Sequence, residues 1–292
     1  MSIDRLQDKI RKSRNPSMVD LALTCADLPR HLLEQEGSAP LAYGRFCREL
    51  LEKLKGTVPG VRVGFTAFAI LGPEGLDELT GVLKKARDLG YYVALEAPWI
   101  LSPMMAAATA EAVFGENALY PCDGILIEGY TGTDILKPFL PYAAEGKKDV
   151  FVVARTSNKS APEIQDLLAG SRLVHTAAAD LINRYGADNT GKSGYARVGV
   201  VAGANSAESL KTLRGKYPRL FLLVDDMDYS GCNAKICSNA FDKYGHGAVV
   251  CAGPTVTAAW KTAESDGVDY LDHSLAAAER MKKNLTRYVT VL

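Results

Sequence analysis

The sequence has no excess of charge of either sign: Lys and Arg total 34, and so do Asp and Glu. A chain that tracks nucleic-acid phosphates needs a basic stripe, and neither a stripe nor a charged tail is present. Cysteine is sparse and unpatterned. The six residues, Cys25, Cys47, Cys122, Cys232, Cys237 and Cys251, fit neither a disulfide framework nor paired zinc knuckles, so reduced thiols and a cytoplasmic setting are expected. Long apolar runs are also missing. The longest, PMMAAATAEAVFG at 103–115, is cut by Glu111 and is too short to cross a bilayer. The charged N-terminus, MSIDRLQDKIRKS, carries no apolar core of a signal peptide.

What the sequence does have is apolar, β-rich runs alternating with helical patterns. Strands are expected at 18–23, 61–68, 91–97, 124–130, 150–156, 198–204, 220–226 and 247–253. Their runs are continuous rather than alternating, as in parallel strands buried on both faces. Between them, GPEGLDELTGVLKKARDLG sets Leu76, Leu79, Leu83 and Ala86 on one helical face and stops at Gly90, a C-terminal glycine. Further helices are expected over 161–168, 206–216 and 274–287, and an exposed loop over 186–194. Hydrophobic residues make up 47% of the 292, enough for a substantial core. The pattern predicts an α/β fold, a (β/α)8 TIM barrel over 1–292 as one domain, with an open doubly wound sheet as the alternative.

In such a barrel, chemistry sits at the C-terminal ends of the strands. There the sequence offers Thr24, Thr66, Glu96, Glu128, Arg155 with Thr156, Ser157 and Asn158, Asn205, Asp225, Asp226, Asp228 and Thr255. Glu96 and Glu128 end consecutive strands. They either converge as an acid/base or metal-binding pair, or they pair with Arg155 and cap backbone N–H groups. The Asp225–Asp228 run reads most simply as turn chemistry and solvation.

Several motifs, in order, resemble orotidine 5′-monophosphate decarboxylases, specifically the longer bacterial subgroup. The clearest are RTSNKSAPEIQDL at 155–167 and ILGPEGL at 70–76. RVGVVAGANSAESL at 197–210, the opening DRLQDKIRKSRNPSMVDLAL and TDILKPFL at 133–140 support them. The resemblance implies a (β/α)8 homodimer with sites at its interface, working without metal or cofactor.

The functional positions that the resemblance points to are altered. The family's Asp-x-Lys-x-x-Asp on strand three falls on Glu96-Ala97-Pro98-Trp99-Ile100-Leu101, so proline replaces the proton donor and leucine an acid. The ribose-holding aspartate falls on Ala22, the strand-two lysine on Arg62, and the phosphate-binding arginine on Pro254. The Asn-Pro after strand four becomes Glu128-Gly129, and the glycine-rich phosphate run after strand seven becomes Asp225-Asp226-Met227-Asp228. Thr156, Ser157 and Asn158, on the side where the family holds the pyrimidine, stay intact. Extreme rate accelerations need on the order of 20 kcal/mol of barrier lowering, most of it from preorganised charges. With those charges gone, decarboxylation is not expected.

Three functions follow. The chain is a non-catalytic ligand-binding, regulatory or assembly subunit, pairing with itself, a paralogue or a pathway enzyme. Alternatively it is a repurposed enzyme using Glu96, Glu128 and Arg155, with or without a metal. The third is an active decarboxylase, if strand three is aligned wrongly. Leu101 would spoil a paralogue's site in a mixed dimer, which favours inhibition over complementation. Trp99 and Ile100 are placed to plug the barrel mouth; the alternative is that Trp99 packs in a dimer contact.

Overall fold

The computed structural model describes residues 2–97, 100–228 and 231–292. Eight parallel strands close into a barrel: β1 (Ser17–Asp20), β2 (Gly60–Gly64), β3 (Tyr92–Glu96), β4 (Gly124–Glu128), β5 (Asp149–Arg155), β6 (Val198–Gly203), β7 (Leu222–Asp225) and β8 (Ala248–Ala252). Each strand pairs with its sequence neighbours, and β8 pairs with β1 through Ser17–Val250, Met18–Cys251 and Val19–Ala252. The closed barrel therefore stands, and the open sheet does not.

The barrel interior is filled by alternating large and small residues. Tyr92, Phe151 and Phe221 are fully buried. They occupy the space that glycines leave on the strands between them. A Cβ on Gly124 would lie 2.5 Å from the Tyr92 hydroxyl and 3.0 Å from the Phe151 ring. One on Gly199 would lie 3.0 Å from Phe151, and one on Gly60 would meet Met18 and Tyr92 at 3.0 and 3.1 Å. Tapered barrels need this large–small complementarity to pack without voids.

Helix α1 (Ser2–Ser13) closes the N-terminal end of the barrel. Ile3, Leu6 and Ile10 are buried, and Arg5 binds the Asp123 carboxylate at 2.7 Å and the Tyr91 carbonyl at 2.8 Å. Asp4 accepts the Ser193 N–H at 2.7 Å, and Gln7 accepts the Gly247 N–H at 3.0 Å. The outer helices used below are α2 (Ala39–Lys53), α3 (Gly72–Asp88), α4 (Pro103–Phe114), α5 (Val174–Gly186), α6 (Ala207–Lys216) and α7 (Tyr270–Thr286). Helix α3 ends as its sequence implies, with Gly90 at φ 86° just past its last turn. Among the described residues, no helix is long and apolar enough to cross a membrane.

Local expectations fail in four places. The second strand stops at Gly64, because Phe65–Ala69 coils into a helical turn despite its β-rich composition. The helix expected over 161–168 is a short 3-10 turn, Ala161–Glu163, followed by a small hairpin of Leu168–Ala169 with Arg172–Leu173, and the true helix α5 starts at Val174. The loop expected over 186–194 starts one residue later, because Gly186 ends α5, and it is exposed only in part, with Gly191 buried against Ile3 and Asp4. Helix α7 begins four residues earlier than the pattern suggests.

Asp149 opens β5 as a fully buried carboxyl that accepts a hydrogen bond from the Tyr92 hydroxyl at 2.7 Å. Burial pushes its pKa up to about 7. The folded state therefore holds a proton that the unfolded chain releases near pH 4. Stability from this group is complete below that pH and is lost as pH rises through 7. Asp149→Asn should flatten the fall in stability between pH 5 and pH 8 by about 1.4 kcal/mol per unit of pKa shift. Urea denaturation of both proteins across that range measures the difference.

Candidate functional site at the barrel mouth

Arg62 is the second-last inward residue of β2, and its guanidinium lies at the centre of the C-terminal mouth with a side chain only 5% exposed. Four carboxylates surround it. Asp20, the last residue of β1, and Asp225, the last of β7, both bind it directly. Glu96, at the end of β3, and Asp226 each approach to 3.6 Å. Asp226 takes a positive φ of 56° as the chain turns out of β7, and it accepts the Ser157 hydroxyl at 2.7 Å.

One positive charge cannot neutralise four carboxylates in a desolvated mouth, and two of the acids, Glu96 and Asp225, hold protons more tightly than usual. Burial raises the Glu96 pKa, against the pull of Arg62, and Asp20 and Asp226 raise it further. Asp225 is also raised, by burial and by its acidic neighbours acting against Arg62. Arg62 moves the other way: attraction to Asp20 and Asp225 outweighs its desolvation and keeps it charged.

Beyond Asp226, the next carboxylate in that turn caps the following segment. Asp228 accepts the backbone N–H of Gly253 at 2.6 Å and of Thr255 at 2.7 Å. These N–H groups open the short helical turn Pro254–Thr257 after β8. The turn chemistry expected for this run thus holds for Asp228, whereas Asp225 and Asp226 join the buried cluster.

Arg155 makes a second, separate network. Its guanidinium grips Asp166 with two bonds of 3.0 Å and donates to Asn205 Oδ1 at 2.8 Å. That contact holds the Asp166 carboxyl below the usual carboxylate range. Asn205 donates onward to the Ser157 carbonyl at 2.6 Å. Gln165 accepts the Thr156 N–H at 2.8 Å and donates to the Thr156 hydroxyl at 2.9 Å. Asn158 donates to the Ser160 hydroxyl at 2.7 Å. The RTSN…QDL motif thus fixes the loop after β5 through bonds within itself and to Asn205 and Asp226.

Glu96 and Glu128 are not brought together. Glu128 accepts the N–H of Gly129, its own neighbour, at 3.0 Å, while the charged groups acting on Glu96 are Arg62, Asp20 and Asp226. Neither glutamate pairs with Arg155, whose carboxylate partner is Asp166. Arg62 shares the mouth with Ser157 through Asp226, while Thr156 and Asn158 are engaged within their own loop. Thr24, Thr66, Pro254 and Thr255 are exposed, and Ala22 is half-buried against Gly64. Pro98 and Trp99 lie outside the described residues. Ile100 does not plug the mouth. It lines an apolar cavity of about 440 Å³ with Phe65, Leu95, Ala97, Met105 and Tyr120. Leu95 and Ala97 lie on the face of their segment opposite Glu96, so that cavity is on the helix side of the wall. Among the described residues, no group of three or more His, Cys, Asp or Glu has the arrangement to hold a metal ion.

Asp20 is the residue that sequence reasoning missed. It is the only charged position in the apolar run MVDLAL, and that isolation was the available signal. Asp166, the partner of Arg155, lay within the QDL motif but was read only as part of a resemblance.

These features define a (β/α)8 barrel with a buried polar mouth at the C-terminal ends of its strands. No family model matches the chain. It is 28% identical to the orotidine 5′-phosphate decarboxylase of Rhodopirellula baltica over 294 aligned positions, covering 96% of this chain and 97% of that one. It is 26% identical to the orotidine 5′-phosphate decarboxylase of Petrotoga mobilis, covering 98% of each. Its fold matches the Leishmania donovani OMP decarboxylase structure with a TM-score of 0.74 at 23% identity, covering 99% of both chains. The Methanocaldococcus jannaschii enzyme, solved with an inhibitor, matches with a TM-score of 0.61 at 16% identity, over 93% of this chain and 99% of that one. Over nearly its whole length the chain is thus similar to orotidine 5′-phosphate decarboxylases.

Removing Arg62 would leave the four carboxylates facing one another without a counter-charge. Arg62→Gln should cost about 3–5 kcal/mol at pH 8, the range for breaking one side of a buried ion pair. The loss should shrink at pH 5, below the raised pKa of about 7 at Asp225. Chemical denaturation at the two pH values measures both effects.

Proposed function

We propose that this protein is a family member that does not decarboxylate orotidine 5′-phosphate and instead acts as a ligand-binding or regulatory subunit beside pyrimidine biosynthesis. The observation that carries the reading is the carboxylate of Asp228, which accepts the N–H groups of Gly253 and Thr255. The family resemblance puts the substrate phosphate at this corner of the mouth. A dianion arriving there would have to displace Asp228 and sit near Asp225 and Asp226, an arrangement that opposes binding.

The rest of the mouth supports the same reading. Arg62 replaces a lysine but is held by Asp20 and Asp225, and an arginine does not release a proton at neutral pH. Among the described residues, no lysine pairs with Asp20, Glu96, Asp225 or Asp226. The six free cysteines fit a cytoplasmic setting. Incubated with orotidine 5′-phosphate, the purified protein should give no absorbance change above the uncatalysed background. Turnover to the decarboxylated nucleotide would overturn the reading.

A second reading is favoured by Glu96 alone. Burial raises its pKa above the ordinary carboxylate value, and its side chain is 34% exposed, the direction and the access that a general acid needs. On that reading the chain is an enzyme for another small molecule, with Glu96 as the acid and Arg62 as the charge beside it. Glu96→Gln would abolish a turnover found by metabolite screening, with the melting temperature preserved.

We further propose a homodimer formed through the start of α4. Leu101 and Met104 are 79% and 76% exposed, Met105 is also exposed, and α4 is apolar on more than one face. A patch of this kind on a helix is an association surface. In a mixed dimer with an active paralogue, Leu101 would offer that paralogue's site no acid, which is a route to inhibition. Light scattering after gel filtration should give a dimer mass for the wild type, and Leu101→Glu with Met104→Glu should shift it to the monomer.

A further inference from the structure

We propose that the mouth around Arg62 binds a small molecule through a cationic ammonium or guanidinium group, seated against Glu96, Asp226 and Asp20. This rests on the reading that the mouth no longer takes a phosphate dianion, and it names the chemistry that replaces it.

The first observation is charge. Within 3.6 Å, the single Arg62 guanidinium meets Asp20, Glu96, Asp225 and Asp226. The second is unused hydrogen-bonding capacity. Asp20 Oδ1 is buried without a hydrogen-bond partner, on a side chain only 7% exposed, while its other oxygen is engaged by Arg62. Arg62 Nε, also buried without a hydrogen bond, faces the Glu96 carboxylate at 3.6 Å. An unused buried acceptor in a field of surplus negative charge calls for a donor that brings positive charge with it.

The third observation is access. Glu96 and Asp226 are about one-third exposed and form the outer edge of the cluster, whereas Asp20 and Arg62 form its floor. A cation entering between Glu96 and Asp226 therefore meets carboxylates before it meets Arg62. A divalent metal suits the mouth less well, because it needs several oxygens at about 2.0–2.6 Å and the guanidinium holds the acids apart. An N–H donor cation can bridge them at hydrogen-bond distances.

The charged and titratable groups around the cluster are Asp20 from β1, Arg62 from β2, Glu96 from β3, Asp225 and Asp226 from the end of β7, and Cys251 from β8. Burial and its acidic neighbours raise Asp225 to about 7, so an incoming cation should expel a proton from it near neutral pH.

Calorimetric titration with agmatine and putrescine, with uridine 5′-monophosphate as the anionic control, tests the inference. In two buffers of different ionisation enthalpy at pH 7, at least one amine should saturate the protein and release protons. Glu96→Gln with Asp226→Asn should weaken that binding by about tenfold or more, the loss expected for charged hydrogen bonds. Glu96→Gln alone, at the partly exposed outer edge of the cluster, keeps the comparison available if the double variant fails to fold. Absence of saturation by about 10 mM amine, or equal affinity in wild type and variants, would overturn the inference. Failure of the amines without orotidine 5′-phosphate turnover overturns this inference alone; turnover overturns the reading beneath it.

Discussion

A guanidinium buried among four carboxylates governs the upper half of this barrel. Arg62 ties together the ends of β1, β2, β3 and β7, strands that are not all neighbours in the sheet. Burying a full charge is costly unless it is paired, so the positions of Asp20 and Asp225 are fixed by that demand. Their fixing in turn sets the path of the chain at Asp226, which takes a left-handed conformation and reaches Ser157 after β5. From one buried cation, contacts thus run to five strands.

The lower half obeys a different constraint. Gly60, Gly124 and Gly199 leave room for the rings of Tyr92 and Phe151 and for the backbone at Phe221, and α1 seals the end below them. Nothing in that packing depends on the groups at the mouth. A barrel built in this way can change its chemistry without losing its shape, because stability and site occupy opposite ends of the strands. That separation explains how a fold match along nearly the whole chain accompanies a mouth whose polar groups follow another logic.

The fold was legible in the sequence because buried parallel strands are continuous apolar runs, and all eight were placed within a few residues. The errors fell where tertiary contacts override local pattern. Phe65–Ala69 is β-rich but coils once Gly64 has ended the strand, and residues 161–168 are helix-like but serve the Arg155–Asp166 scaffold. The site was only partly legible. Glu96, Asp225 and Asp226 could be named from their place at strand ends, but their meeting around Arg62 depends on barrel closure, which no local pattern encodes. The expected partnership of Glu96 with Glu128 is not formed because of register: Glu96 lies level with Leu126, which sets Glu128 two residues further along its strand. Asp20 was hidden because a lone acid within an apolar run reads as a strand residue until its buried partner is known.

The carboxylate of Asp228 carries a consequence for how this chain can change. It holds in place the backbone that follows β8, so the acid is part of the architecture of that corner as well as an obstacle to an anion. Placing an arginine at Pro254 alone would set a positive charge beside an occupied pair of amides, and removing Asp228 alone would leave those two amides unpaired and loosen the turn. Charge and backbone support are therefore coupled at this corner, and neither can be altered without compensating the other.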